Sequence, residues 1–239
     1  MGMTGIDFAI PKKILGCLAN KADNFYLAGG TALSMFYYQH RESYDLDFFT
    51  KEFSKDRVLT VIQYLENSLS LKTELAGEQL KEGMAKMVVY MAVLPGGERC
   101  KIDFVEDFVD RIGPLRTVDG IRVLSLEDIY LRKIYAAAGH VRSQDVIGQD
   151  IVIGGRQEAK DFYDLYCLSS LSTPLSDFVS QWPMTLKEGL IRWFRTYDRM
   201  AMKTGLLDLI TKSQPDDRRM EEHFKKEIDK LLSSLVGEN

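Results

Sequence analysis

The sequence predicts an α+β protein, with a mixed sheet and flanking helices over residues 1–113 and a mainly helical region over 114–239. Two observations carry this reading. Short β-type runs alternate with helical runs as far as Gly113-Pro114, and beyond residue 155 the chain reads as one helix after another.

Pro11 suits the first turn of a helix, here over Pro11–Ala22. Phe25–Ala28 is a short apolar strand that stops at Gly29-Gly30, and Thr31–Tyr38 resumes with helical residues. Asp45–Thr50 reads as a strand. Lys55–Ser70 repeats apolar residues at Val58, Leu59, Ile62, Leu65 and Leu69, the helical period. Three strands follow over Leu71–Ala76, Ala85–Leu94 and Cys100–Val105, with Pro95-Gly96-Gly97 turning between the last two. Ile121–Leu124 is a further short strand. Ser125-Leu126-Glu127-Asp128 fits a capping box that opens a helix ending near Gly139-His140. Val141–Gly155 reads as a glycine-containing loop, and helices are expected over 156–170, 174–182, 185–203, 205–212 and 217–236.

Composition excludes several classes. The 239 residues are 45% hydrophobic and 28% charged, which rules out collagen, a disordered chain and a disulfide-stapled miniprotein. A net charge of -4 rules out coating of nucleic acid by bulk positive charge. The acidic excess is local: residues 1–110 hold 12 basic and 16 acidic side chains, and the remainder is neutral. Three dispersed cysteines and the absence of a secretory pattern predict reduced thiols and a cytoplasmic location. Scattered histidines predict no dedicated zinc site. The longest strongly apolar run, Met87–Leu94, is too short to cross a bilayer.

Chemistry concentrates in two stretches, Phe25-Tyr-Leu-Ala-Gly-Gly-Thr-Ala-Leu33 and Arg41-Glu-Ser-Tyr-Asp-Leu-Asp-Phe-Phe49. On a strand, alternate side chains share a face, so Asp45 and Asp47 point one way while Leu46 and Phe48 enter the core. Two carboxylates one strand-step apart repel unless a cation lies between them, and hard oxygen ligands suit Mg²⁺. Gly29, Gly30 and Thr31 lie between a strand and a helix, where backbone N–H groups, a hydroxyl and the helix N-terminus favour a phosphate. Asp103 stands opposite Ile102 and Phe104 in the same alternation. Three such acids on neighbouring strands can hold two Mg²⁺ ions. Arg41 and Ser43 either contact phosphate or position the loop before the strand.

These residues resemble the G-[GS]…D-x-[DE]…D pattern of the DNA polymerase β-like nucleotidyltransferases. More narrowly, the two stretches resemble the AbiEii family, toxins of type IV toxin–antitoxin systems. Leu126-Glu127…Lys133-Ile-Tyr-Ala-Ala137 is similar to that family's helix bearing a nucleotide-site lysine. Here Tyr130-Leu-Arg-Lys133 replaces the usual Glu-Lys pair, leaving Arg132 or Lys133 as the phosphate contact. Arg156…Ala159-Lys-Asp-Phe-Tyr-Asp-Leu-Tyr-Cys-Leu168 is similar to its later helix. The resemblance spans roughly residues 25–168. It implies a polymerase-β-like core and Mg²⁺-dependent nucleotidyl transfer from an NTP to RNA, with a tRNA 3′ end as a plausible acceptor, or to a protein hydroxyl. It also implies an antitoxin partner and no membrane. The competing readings are a catalytically silent nucleotide- or RNA-binding module and a kinase-type phosphotransferase.

Two features admit two readings each. Asp161 and Asp164 share a helix face, with Lys160 four residues from Asp164, either as a surface ion-pair ladder or as carboxylates facing a cleft that orient Lys133 or serve as general base. Arg192, Arg195, Arg199 and Lys203 follow helical spacing beside Trp193 and Tyr197, either as a solvated face or as a track for an RNA backbone.

Overall fold

A computed structural model describes residues 6–139, 141–144, 150–153 and 155–237, so His140 and residues 145–149 lie outside it. The chain divides into two compact units, Met1–Ile129 and Tyr130–Asn239.

The first unit is built on a seven-stranded mixed sheet. Its strands are β1 (Tyr26–Ala28), β2 (Leu46–Thr50), β3 (Lys72–Gln79), β4 (Met87–Val93), β5 (Arg99–Glu106), β6 (Arg116–Val118) and β7 (Ile121–Val123), in the order β3-β4-β5-β2-β1-β7-β6. Helices α1 (Ala9–Leu18), α2 (Gly29–Leu33) and α3 (Lys55–Leu69) complete it, and α2 continues as one π-helical turn over Ser34–Tyr38. β2 pairs antiparallel with β1 and parallel with β5, which centres it in the sheet. Leu46, Phe48, Ile102 and Phe104 are at most 1% exposed, and Phe48 stacks on Phe104 with ring centroids 5.6 Å apart. This buried layer holds β2 and β5 in register, because a one-residue slip would turn all four side chains out of the core.

Sequence and structure differ at one strand of this unit. Arg116–Val118 forms a strand that the sequence reading left out, and it pairs with β7 across Asp119-Gly120. Both turn residues have positive φ, +50° and +77°, the geometry for which Asp-Gly is favoured. The sheet-bearing unit therefore extends past Pro114.

The second unit contains α5 (Ala159–Leu171), α6 (Leu175–Val179), α7 (Met184–Thr196), α8 (Arg199–Leu207) and α9 (Asp217–Gly237). The boundary between the units falls within α4 (Leu126–Ala138). Two strands, β8 (Val141–Gln144) and β9 (Asp150–Ile153), pair antiparallel where a loop was expected over Val141–Gly155. The β-branched run Ile151-Val152-Ile153 accounts for the strand preference. The helix expected over 185–203 is two helices. Tyr197 is extended (ψ 144°), and the Asp198 side chain caps α8 by accepting from the Ala201 N–H at 2.9 Å. The core of this unit is aromatic: Phe162 packs against Trp193, Tyr197 and Phe224 with centroids 4.7–5.5 Å apart.

Candidate active site

β1 ends at Ala28, which lies opposite Asp47 on β2. The chain then turns through Gly29 at φ +70°, a region that L side chains rarely enter. A Cβ on Gly29 would collide with the Asp47 carboxylate. Glycine thus serves both the turn into α2 and the room for that carboxylate. Thr31 is fully buried, and its hydroxyl contacts Ser43 Oγ at 2.7 Å and the Asp45 carbonyl. Both partners of the Thr31 hydroxyl are in the segment leading into β2, so it ties the glycine turn to the stretch that carries Asp45. Arg41 is 4% exposed and donates to the Glu42 carbonyl at 2.9 Å. These bonds tie Thr31 to Ser43 and Asp45, and Arg41 to the backbone of the loop before β2.

Asp45 and Asp47 are half-buried and lie on the face opposite Leu46 and Phe48. Asp47 is the direct register partner of Asp103 on β5. Asp103 is buried, and Lys101, two residues earlier on the same face, donates to its Oδ2 at 2.5 Å. The sequence reading did not single out Lys101, although the period-2 pattern places it beside Asp103. Burial lowers the Lys101 pKa, but the bond to Asp103 and the charges of Asp103, Asp45 and Asp47 outweigh it, and the ammonium is held above its ordinary value. The neighbouring Cys100 thiol is pushed up to about 12, by burial first and then by the same three carboxylates. Both shifts register one convergent acidic field.

Asp45 and Asp47 supply the hard oxygen donors that Mg²⁺ prefers, and the space above Gly29 leaves the Asp47 carboxylate room. Two such carboxylates are the donor chemistry that a hard cation takes. Among the described residues, however, no group of three or more His, Cys, Asp or Glu side chains is disposed to hold a metal ion. Lys101 is in ion-pair contact with Asp103.

A second set of charges lies in the helical unit. Lys133 on α4 is 5% exposed, and its ammonium meets Asp161 Oδ1 at 2.6 Å and Asp164 Oδ2 at 2.7 Å, both on α5. Both aspartates are fully buried, and Arg156 approaches Asp161 Oδ2 at 3.2 Å. The surface-ladder reading is therefore corrected: Asp161 and Asp164 lie in the core, and Lys160 pairs with Glu158 at 3.0 Å. Burial leaves these carboxylates little access to a substrate proton.

The family model "Nucleotidyl transferase AbiEii toxin, Type IV TA system" matches residues 13–239. The chain belongs to this AbiEii family. Two solved structures share its fold. A crystal structure of an H. pylori protein assigned as a nucleotidyltransferase is 16% identical, with a TM-score of 0.54, covering 93% of this chain and 95% of the other. JHP933 from Helicobacter pylori is also 16% identical, with a TM-score of 0.53 and coverage of 95% and 94%. Comparison with curated protein sequences gives no match. The AbiEii match extends to the C-terminus and so takes in the last 70 or so residues, which resembled nothing by motif alone. The fold is that of a nucleotidyltransferase core followed by a helical region, as the sequence predicted. Among the described residues, no helix is long and apolar enough to cross a membrane.

The expected basic stripe of this AbiEii chain does not exist as a single helix face. The break at Tyr197-Asp198 puts Arg192 and Arg195 on α7 and Arg199 and Lys203 on α8. Arg192 donates to the Ala138 carbonyl at 2.8 Å, Arg199 pairs with Glu221 at 2.7 Å, and Lys203 lies 3.4 Å from Asp217. Three of the four cations thus have local structural partners. Arg195 is exposed.

Proposed function

We propose that this AbiEii-family chain is a Mg²⁺-dependent enzyme that transfers a nucleoside monophosphate from an NTP to a hydroxyl of RNA, with a tRNA 3′ end as the preferred acceptor. In this reading it acts in the cytoplasm as a toxin restrained by an antitoxin. The observation that carries the proposal is the register of Asp47 with Asp103 beside Asp45, under a glycine turn whose missing Cβ makes room for Asp47.

Asp45 and Asp47 would hold Mg²⁺. The backbone N–H groups of Gly29 and Gly30 receive phosphate oxygens, while Thr31, Ser43 and Arg41 fix the loop. Bound Mg²⁺ supplies charge neutralisation at the triphosphate and lowers the pKa of the attacking hydroxyl. That hydroxyl attacks the α-phosphorus, and the bond to the bridging oxygen breaks, so pyrophosphate leaves. Asp103 assists removal of the hydroxyl proton. Lys133, for which the family resemblance implies a phosphate contact, is held by Asp161 and Asp164 and takes a positioning role in the helical unit. Asp161 and Asp164 orient its ammonium, a role that suits their full burial better than that of general base.

The test is incubation of the protein with Mg²⁺, total tRNA and each α-labelled NTP in turn. Label should move to the RNA and should fall about 10³-fold in Asp45→Asn, the scale of losing about 4 kcal/mol of transition-state stabilisation. Transfer from the γ-position instead would make the protein a kinase. Nucleotide or RNA binding without transfer would make it a binding module.

A further inference from the structure

The strand order β5-β2-β1 gives the acidic face two sides. Asp47 on β2 stands level with Asp103 on β5, and Lys101, two residues before Asp103, lies on the same face. The glycine turn follows β1, two strand spacings from β5, a separation of about 10 Å. Lys101 reaches along its own strand to Asp103 Oδ2 at 2.5 Å, so its charge stays on the β5 side. An ammonium carries three N–H donors, one of which goes to Asp103. The Lys101 side chain is 38% exposed, against 11% for Asp103, so the head still presents donors to solvent.

Displacement at phosphorus runs in line, with the attacking and leaving oxygens on opposite sides of the phosphorus. With the β- and γ-phosphates at the glycine turn on the β1 side, the acceptor hydroxyl arrives from the β5 side. The charged group nearest an RNA 3′ hydroxyl is the phosphodiester that links the last two nucleotides. We propose that Lys101 binds that phosphodiester and so holds the acceptor end beside Asp103. This rests on the nucleotidyltransferase reading above and extends it from the donor to the acceptor. A compact ammonium on a flexible stem binds phosphate as a point charge and can keep its bond to Asp103 while doing so.

The test measures equilibrium binding of total tRNA to the full chain across a salt series, with Mg²⁺ and a non-hydrolysable α,β-methylene NTP analogue present. In Lys101→Met the slope of log affinity against log salt should become shallower by about 0.7, the share of one phosphate on a single strand. The KM for tRNA should rise about tenfold, the scale of one charge-assisted hydrogen bond, with the KM for NTP unchanged. Lys101→Arg, which keeps the cation, should restore both. Lys101 is half-exposed, so both variants should keep the wild-type thermal midpoint, which a melting curve checks. A wild-type slope in Lys101→Met, or a raised KM for NTP instead of tRNA, would overturn the proposal. A lower kcat with an unchanged slope would do the same, since Lys101 would then act through Asp103 alone. A Lys101-dependent slope without label transfer would overturn the transferase reading and leave the phosphate contact standing. No binding of tRNA would overturn the contact whether or not label moves.

Discussion

The molecule carries two clusters of aspartates, and they differ in burial and balance. On the sheet, Asp45 and Asp47 are half-buried beside Asp103, which pairs with Lys101. In the helical unit, Asp161 and Asp164 are fully buried, both paired with Lys133, and Arg156 also pairs with Asp161. Buried charge is stable only when paired, so the helical set is balanced by its own side chains. A half-open set can remain acidic because solvent screens it until a cationic or phosphate-bearing ligand arrives. A surplus of charge near solvent marks the place for a ligand, and a balanced buried set marks a positioning device.

The contrast is broken most sharply by neutralising one acid in each cluster. Asp47→Asn should abolish transfer, by about 10³-fold, and shift stability by less than ~1 kcal/mol, since it relieves repulsion near the surface. Asp161→Asn should instead destabilise the fold by about 3 kcal/mol, because Lys133 loses one of its two buried partners. Denaturant unfolding and label transfer, run on both variants, check the pair. If Asp47→Asn unfolded the protein and Asp161→Asn did not, the assignment of roles would be reversed.

A smaller effect is expected at Gly29→Ala. The positive φ costs about 1–2 kcal/mol for an L residue, and the added methyl drives the Asp47 carboxylate from its place. Transfer should fall further than stability alone explains. An alanine variant with wild-type turnover would remove Gly29 from the site.

The smallest effect concerns pH. His223, bonded to Ser169 Oγ at 2.8 Å, is held below its ordinary value of 6.5, first by burial, with Lys230 and Lys226 adding to it against Glu227. The unfolded chain then binds the proton more readily, so stability is present above about 6.5 and declines as pH falls toward the lowered value. His223→Gln should flatten that decline in thermal midpoints measured between pH 5 and pH 7.5; an unchanged slope would assign it to other groups.

Much of this was legible in the chain. Leu46, Phe48, Ile102 and Phe104 alternate with Asp45, Asp47 and Asp103, and a strand's period of two turns that pattern directly into a core face and an acidic face. The π-turn over Ser34–Tyr38 was not legible, because helical composition does not distinguish one hydrogen-bond spacing from another. The Arg192–Lys203 spacing misled for a related reason. It fits one helix whether or not the backbone is interrupted, and the interruption depends on the Asp198 cap. The Asp119-Gly120 hairpin, by contrast, was written plainly in two residues and only needed to be read.

Sequence by itself determined the elements of the Asp45–Asp103 sheet core, the family, and the face on which Asp47 and Asp103 lie, since these follow from local periodicity and short motifs. Tertiary structure alone decided that Asp47 stands in register with Asp103 and that Lys133 is enclosed by Asp161 and Asp164. Those are contacts between segments 28 to 56 residues apart. Their partners are selected by packing of the whole core, which no local pattern encodes.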